Sequence, residues 1–224
     1  MTSAVDAALN RLNLQLPLAA RQRSLPPELA ALHRAILRSL YERGRPLTCD
    51  EIAGMVAPAG ADAALLRLAA DDLVVLSEDR RNAVGAYPMT TEPTPHRLIL
   101  AGRTVNAMCA LDALSVTLMF GGEVEIRSTC RVTGQPVRIR QRGENILEAE
   151  PSGVVVGIRW QMPRTCHAAH SMCMEMVFLA SRQTALAWHG DDLANHSLLT
   201  LQEAIGLGAS FFRPLIFREL PVAG

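Results

Sequence analysis

The residues best equipped for chemistry are Cys109 and Asp112, three apart in Asn106-Ala107-Met108-Cys109-Ala110-Leu111-Asp112. Cys173 joins them from about sixty residues further on, in His170-Ser171-Met172-Cys173-Met174-Glu175. Two thiols can hold a soft metal as thiolates. A carboxyl group beside them can deliver or remove a proton. If Cys109 sits at the first turn of a helix, the unpaired amides there favour its thiolate, and Asp112 lies on the same helical face. The same spacing also suits a buried cysteine in an ordinary core helix, with Asp112 turned to solvent.

Other soft residues compete for attention. Cys166, His167, His170 and Cys173 fall within eight residues. Thiolate and imidazole are the usual zinc ligands, but no paired C-x-x-C accompanies them, so a polar loop with scattered soft residues is the simpler reading. Met162, Met172, Met174 and Met176 flank Cys173 and read either as a soft pocket or as core filling. Cys130, in Ser128-Thr129-Cys130-Arg131, reads as a small buried residue, and Cys49 has no assigned role.

Elements must place these groups. Residues 1–24 form an amphipathic lead-in. Pro26-Pro27 opens a helix carrying Leu29, Leu32, Ile36, Leu37 and Leu40, which Gly44 and Pro46 end. Thr48 to Glu51 reads as a capping box for a second helix. A third is expected from Asp62 to Asp71, followed by strands at 73–76 and 83–87. Three helices and a hairpin make a winged-helix-like module over 25–90. Its third helix presents Arg67 against Asp62, Asp71 and Asp72, an acidity that repels phosphate, with only Arg80 and Arg81 in the wing to offset it.

Beyond Pro93 and Pro95 the pattern changes. Strands are expected at 96–100, 105–108, 123–128, 136–140, 154–160 and 175–179. Helices are expected at 109–119, 183–188 and 201–215. The apolar Val154-Val155-Val156 suggests a central strand. The fold class is α+β: an N-terminal winged-helix-like helical module, then a mixed β-sheet domain with flanking helices over 91–224.

Composition sets the bounds. The chain has 224 residues, 49% of them hydrophobic but only 4% aromatic, so aliphatic residues and Met must build the core. The 22 basic residues, all Arg, balance 22 acidic ones, which advertises neither nucleic acid nor an anionic membrane as partner. No signal-like start and no span-length apolar run are present, and five cysteines at irregular spacings suggest free thiols. A soluble cytoplasmic protein is expected.

Several motifs together resemble the alkylmercury lyases (organomercurial lyases). They are Pro93-Thr94-Pro95-His96-Arg97, Cys109-Ala110-Leu111-Asp112-Ala113-Leu114, Cys130-Arg131-Val132-Thr133-Gly134-Gln135-Pro136-Val137, Cys173 with Val177-Phe178-Leu179-Ala180-Ser181, and Glu203-Ala204-Ile205-Gly206-Leu207-Gly208. They occur in the family's order from about residue 30 to the last helix. The resemblance implies cleavage of carbon–mercury bonds by protonolysis, in mercury detoxification. Cys109, Cys173 and Asp112 then serve as the catalytic and mercury-binding groups, and Cys130 as a structural cysteine. It implies no intrinsic cofactor, a need for external small thiols, an organomercurial substrate, and hand-off of mercury(II) to a mercuric reductase. Met108 stands where the family favours an aromatic residue, and Met174 where a further cysteine is frequent. Two rival readings are a metal-sensing winged-helix transcription regulator and a non-catalytic mercury or copper carrier.

Overall fold

A computed structural model describes residues 3–58, 60–160 and 167–217. The chain begins with helices α1 (Ala4–Gln15), α2 (Leu18–Arg23), α3 (Pro27–Arg43), α4 (Cys49–Val56) and α5 (Ala61–Ala70). The local signals act as read. Proline occupies the first turn of α3, Gly44 closes it in the left-handed region at φ 67°, and Thr48 and Glu51 form the capping box of α4. In α3 the apolar stripe, including Leu32, Ile36, Leu37 and Leu40, is buried.

A short hairpin follows, β1 (Val75–Leu76) and β2 (Ala83–Ala86), then β3 (Met89–Thr90), β4 (His96–Leu100) and β5 (Arg103–Ala107). Next come α6 (Ala110–Phe120), β6 (Glu123–Thr129), β7 (Pro136–Arg142), β8 (Asn145–Glu150) and β9 (Val155–Arg159). The remainder is β10 (Met176–Leu179), α7 (Arg182–His189), β11 (His196–Thr200) and α8 (Leu201–Phe212).

Among the described residues the strands form two sheets. One has eight strands in the order β1-β2-β3-β5-β4-β6-β7-β8, and the other three in the order β10-β9-β11. Every pairing is antiparallel, which corrects the expected mixed sheet. The apolar run at 154–156 does mark a central strand, β9 between β10 and β11. It is apolar because α7 and α8 both pack against β9, so no parallel neighbour is needed.

Helix α6 is the centre of the molecule. Residues 110–119 are all buried, as expected of a helix apolar all round. It touches β3 to β7 of the large sheet, β10 of the small one, and α8. Its approach to α8 is close: a Cβ on Gly208 would lie 2.2 Å from Ser115 Oγ. The lead-in helix α1 also packs on α8, and Arg11 stacks over Trp160. Among the described residues no single helix is long and apolar enough to cross a membrane.

Candidate active site

Strand β5 delivers the chain to Cys109, which caps α6. Its backbone is extended (φ −152°, ψ 178°), and its Sγ accepts the Asp112 amide N–H at 3.3 Å, as a serine hydroxyl does at other helix starts. Asp112 therefore occupies the third helical position, on the face that Cys109 caps. Cys173 arrives from the other side, opening a 3-10 turn, Cys173–Glu175, that leads directly into β10. One ligand atom each from Cys109, Asp112 and Cys173 lies within 4.8 Å of the others, and all three residues are buried. Met176 brings its thioether to 3.8 Å from Cys109 Sγ. The three residues singled out in the sequence thus converge.

Burial dominates the electrostatics. Asp112 is 2% exposed, and its Oδ2 has no hydrogen-bond partner among the described residues. Burial raises its pKa from 3.8 to about 7, against hydrogen bonds from Cys109 that pull the other way. The Cys109 thiol is pushed well above its usual value by burial first, then by Cys173 and Asp112. For Cys173 a hydrogen bond with Cys109 pulls down, but burial and the charges of Asp112 and Asp72 leave it raised. The expectation of a helix-stabilised Cys109 thiolate is thereby corrected: the amide contact is present, but desolvation outweighs it.

A cavity of about 430 Å³ reaches the flank of this cluster. Its wall includes Thr90, Pro93, His96, Cys130 and both Met108 and Met174, but neither Cys109 nor Cys173. His96 is held by Ser128 through Nδ1 at 2.9 Å, and burial, with Arg131 nearby, lowers its pKa to about 4. It is therefore a neutral wall residue at pH 7. Cys130 is 2% exposed and its Sγ accepts the Ala180 N–H at 3.3 Å, tying the turn after β6 to the end of β10. Burial raises its thiol pKa, but hydrogen bonds from Thr133, Ala180 and Val132 bring it below the ordinary value.

The zinc reading of the 166–173 loop does not assemble among the described residues. His167 faces Asp72, His170 faces Glu92, and Cys173 faces Cys109; Cys166 lies outside the described residues. Sequence reasoning gave Tyr87 no role and counted Asp72 only among the acids that repel phosphate. Asp72 follows α5 with φ 53°, and Tyr87 is 1% exposed. Their clearest signal is a carboxyl and a phenol directly beside the apolar runs Leu73-Val74-Val75-Leu76 and Ala83-Val84-Gly85-Ala86.

A buried acid close to two thiols, beside a mostly apolar cavity on this α+β frame, could couple soft-metal binding to proton transfer. The alkylmercury lyase family model matches residues 89–213. An alkylmercury lyase of Staphylococcus epidermidis is 31% identical over 178 residues, 79% of each chain. One from Streptomyces lividans is 28% identical over 83% of this chain and 84% of its own length. A solved structure described as the mercury-bound form of MerB2 has the same fold, with a TM-score of 0.76, 22% identity, and coverage of 93% of this chain and all of that one. The chain belongs to the alkylmercury lyase family.

Proposed function

We propose that this alkylmercury lyase cleaves alkyl- and arylmercury compounds with Cys109, Cys173 and Asp112 as its reacting groups. The observation that carries the assignment is the convergence of these three buried groups within 4.8 Å. One cysteine exchanges for the thiol on an incoming R–Hg–SR′, giving Cys–S–Hg–R and R′SH. Asp112 takes the proton of the other cysteine, whose thiolate then adds to mercury. The second sulfur pushes electron density onto carbon. Asp112 returns the proton to that carbon as the Hg–C bond breaks, releasing R–H and leaving mercury(II) on two sulfurs. A carboxyl with pKa about 7 exists in both protonation states near neutral pH, as a group that first accepts and then donates a proton requires.

The cavity beside Met108 and Met174 takes the organic group, small external thiols reload the site, and a mercuric reductase receives the product. In this reading residues 25–90 are a winged-helix-like packing module, and 91–224 carry the chemistry. Gas chromatography of the headspace over enzyme, phenyl- or methylmercury and excess thiol tests the reading. Stoichiometric benzene or methane is expected. Mercury binding without hydrocarbon would mean a carrier.

A further inference from the structure

Cys173 is supplied by a segment with little regular structure of its own. Between Ala168 and Glu175 the chain makes only two short 3-10 turns, Ala168–His170 and Cys173–Glu175. Yet its thiol must meet Cys109 and Asp112, which are fixed at the start of a fully buried helix. Something outside the segment has to place it.

The downstream end is held by charge. Glu175 meets Arg159 of β9 at 3.1 Å and Arg131 at 3.9 Å. The upstream end is held by two buried residues from the N-terminal part of the chain. Asp72 Oδ2 accepts the Ala168 N–H at 3.0 Å, and its Oδ1 lies 3.0 Å from His167 Nδ1. The Tyr87 hydroxyl donates to Asp72 Oδ1 at 2.9 Å and accepts the Ala169 N–H at 2.8 Å. Two successive amides of the first 3-10 turn thus end on one carboxylate–phenol pair. Asp72 is 6% exposed. Charge-assisted hydrogen bonds in such surroundings are stronger and more directional than those at a surface.

We propose that Asp72 and Tyr87 are positioning residues that set Cys173 against Cys109 and Asp112, so that the helical module contributes to the mercury pincer without touching the substrate. The inference rests on the proposed role of Cys173. The carboxylate takes the two donors of His167 and Ala168, the phenol bridges it to Ala169, and the Ser171 and Glu175 amides pass the constraint along the two turns through Ala168 and Met172 carbonyls. Losing the pair removes these upstream hydrogen bonds while the Glu175 anchor remains.

The test uses the full chain with Asp72→Asn and Tyr87→Phe. Asparagine tolerates the positive φ at position 72 and keeps one acceptor; phenylalanine keeps the ring of Tyr87 and removes only the hydroxyl. Three quantities are measured in each folded variant: the alkylation rates of Cys173 and Cys109 by mass mapping, retention of mercury(II) against competing thiol, and kcat and KM for phenylmercury. In Tyr87→Phe, which leaves the Asp72 charge in place, Cys173 alkylation is expected to rise about tenfold with that of Cys109 unchanged. In both variants kcat is expected to fall about tenfold or more with KM within about twofold, since small misplacements of reacting groups are costly. Mercury retention is expected to fall in parallel. Unchanged Cys173 alkylation and mercury retention in both folded variants would overturn the proposal. Full turnover by Cys173→Ser would instead overturn the assignment of Cys173 itself, and the alkylation readout does not depend on that assignment.

Discussion

Asp112→Asn should gain stability over wild type as pH rises from about 4 to about 7, while removing cleavage. In the folded chain burial lifts this carboxyl from 3.8 to about 7. Between those values the folded state holds a proton that the unfolded chain has lost, so stability falls as pH rises through this window and levels off above it. The rise from 3.8 to about 7 corresponds to about 4 kcal/mol, nearly all of it lost by pH 8, and about 2 kcal/mol of it already lost at pH 5. Asparagine has no charge to desolvate. The stability gap between Asp112→Asn and wild type should therefore widen by about 2–3 kcal/mol from pH 5 to pH 8. Urea unfolding of both proteins at the two pH values measures this, and comparing gaps cancels any constant packing difference. A gap that stays constant would refute the buried carboxyl, unpartnered at Oδ2, on which the proton relay depends.

Cys109→Ser should keep the helix cap, since serine caps well, yet turnover in excess thiol should fall by about a thousandfold or more; Cys173→Ser should do the same, and steady-state hydrocarbon release measures both. Cys130→Ser should lower stability by about 1–2 kcal/mol while soluble protein retains turnover, checked by thermal melting alongside the activity assay. Gly208→Ala should destabilise by about 2–3 kcal/mol, because its Cβ would lie 2.2 Å from Ser115 Oγ, which is itself fixed on the Leu111 carbonyl. Adding Ser115→Ala should recover most of that loss, and a denaturant double-mutant cycle reads the coupling.

Much of this molecule was legible because its local signals agree with its tertiary ones. The Thr48–Glu51 box, Pro27 at the start of α3 and the alternation in β6 and β7 all act within a few residues of themselves. Strand β8 escaped because Asn-Ile-Leu-Glu-Ala-Glu is half polar and pairs only with β7 at the sheet edge. Strand β11 escaped because His196 to Thr200 runs straight into the cap of α8, whose capping box dominates the reading. The site was legible through the resemblance carried by the Cys109–Leu114 run and the later Cys173, since the spacing of Cys109 and Asp112 alone suits an ordinary core helix. The raised pKa of its thiols was not read, although the apolar run of α6 that follows Cys109 already marks a fully enclosed helix. Nor was the hold on Cys173, since Asp72 and Tyr87 act across about a hundred and about eighty-five residues of chain.

The central claim is that two sulfurs hold mercury while Asp112 protonates carbon. A single turnover followed by intact-protein mass spectrometry tests it directly, mixing wild type or Asp112→Asn with one equivalent of phenylmercury. Wild type should carry mercury alone, with benzene released, and Asp112→Asn should carry phenylmercury intact. Asp112→Asn losing the phenyl group at the wild-type rate would contradict the account.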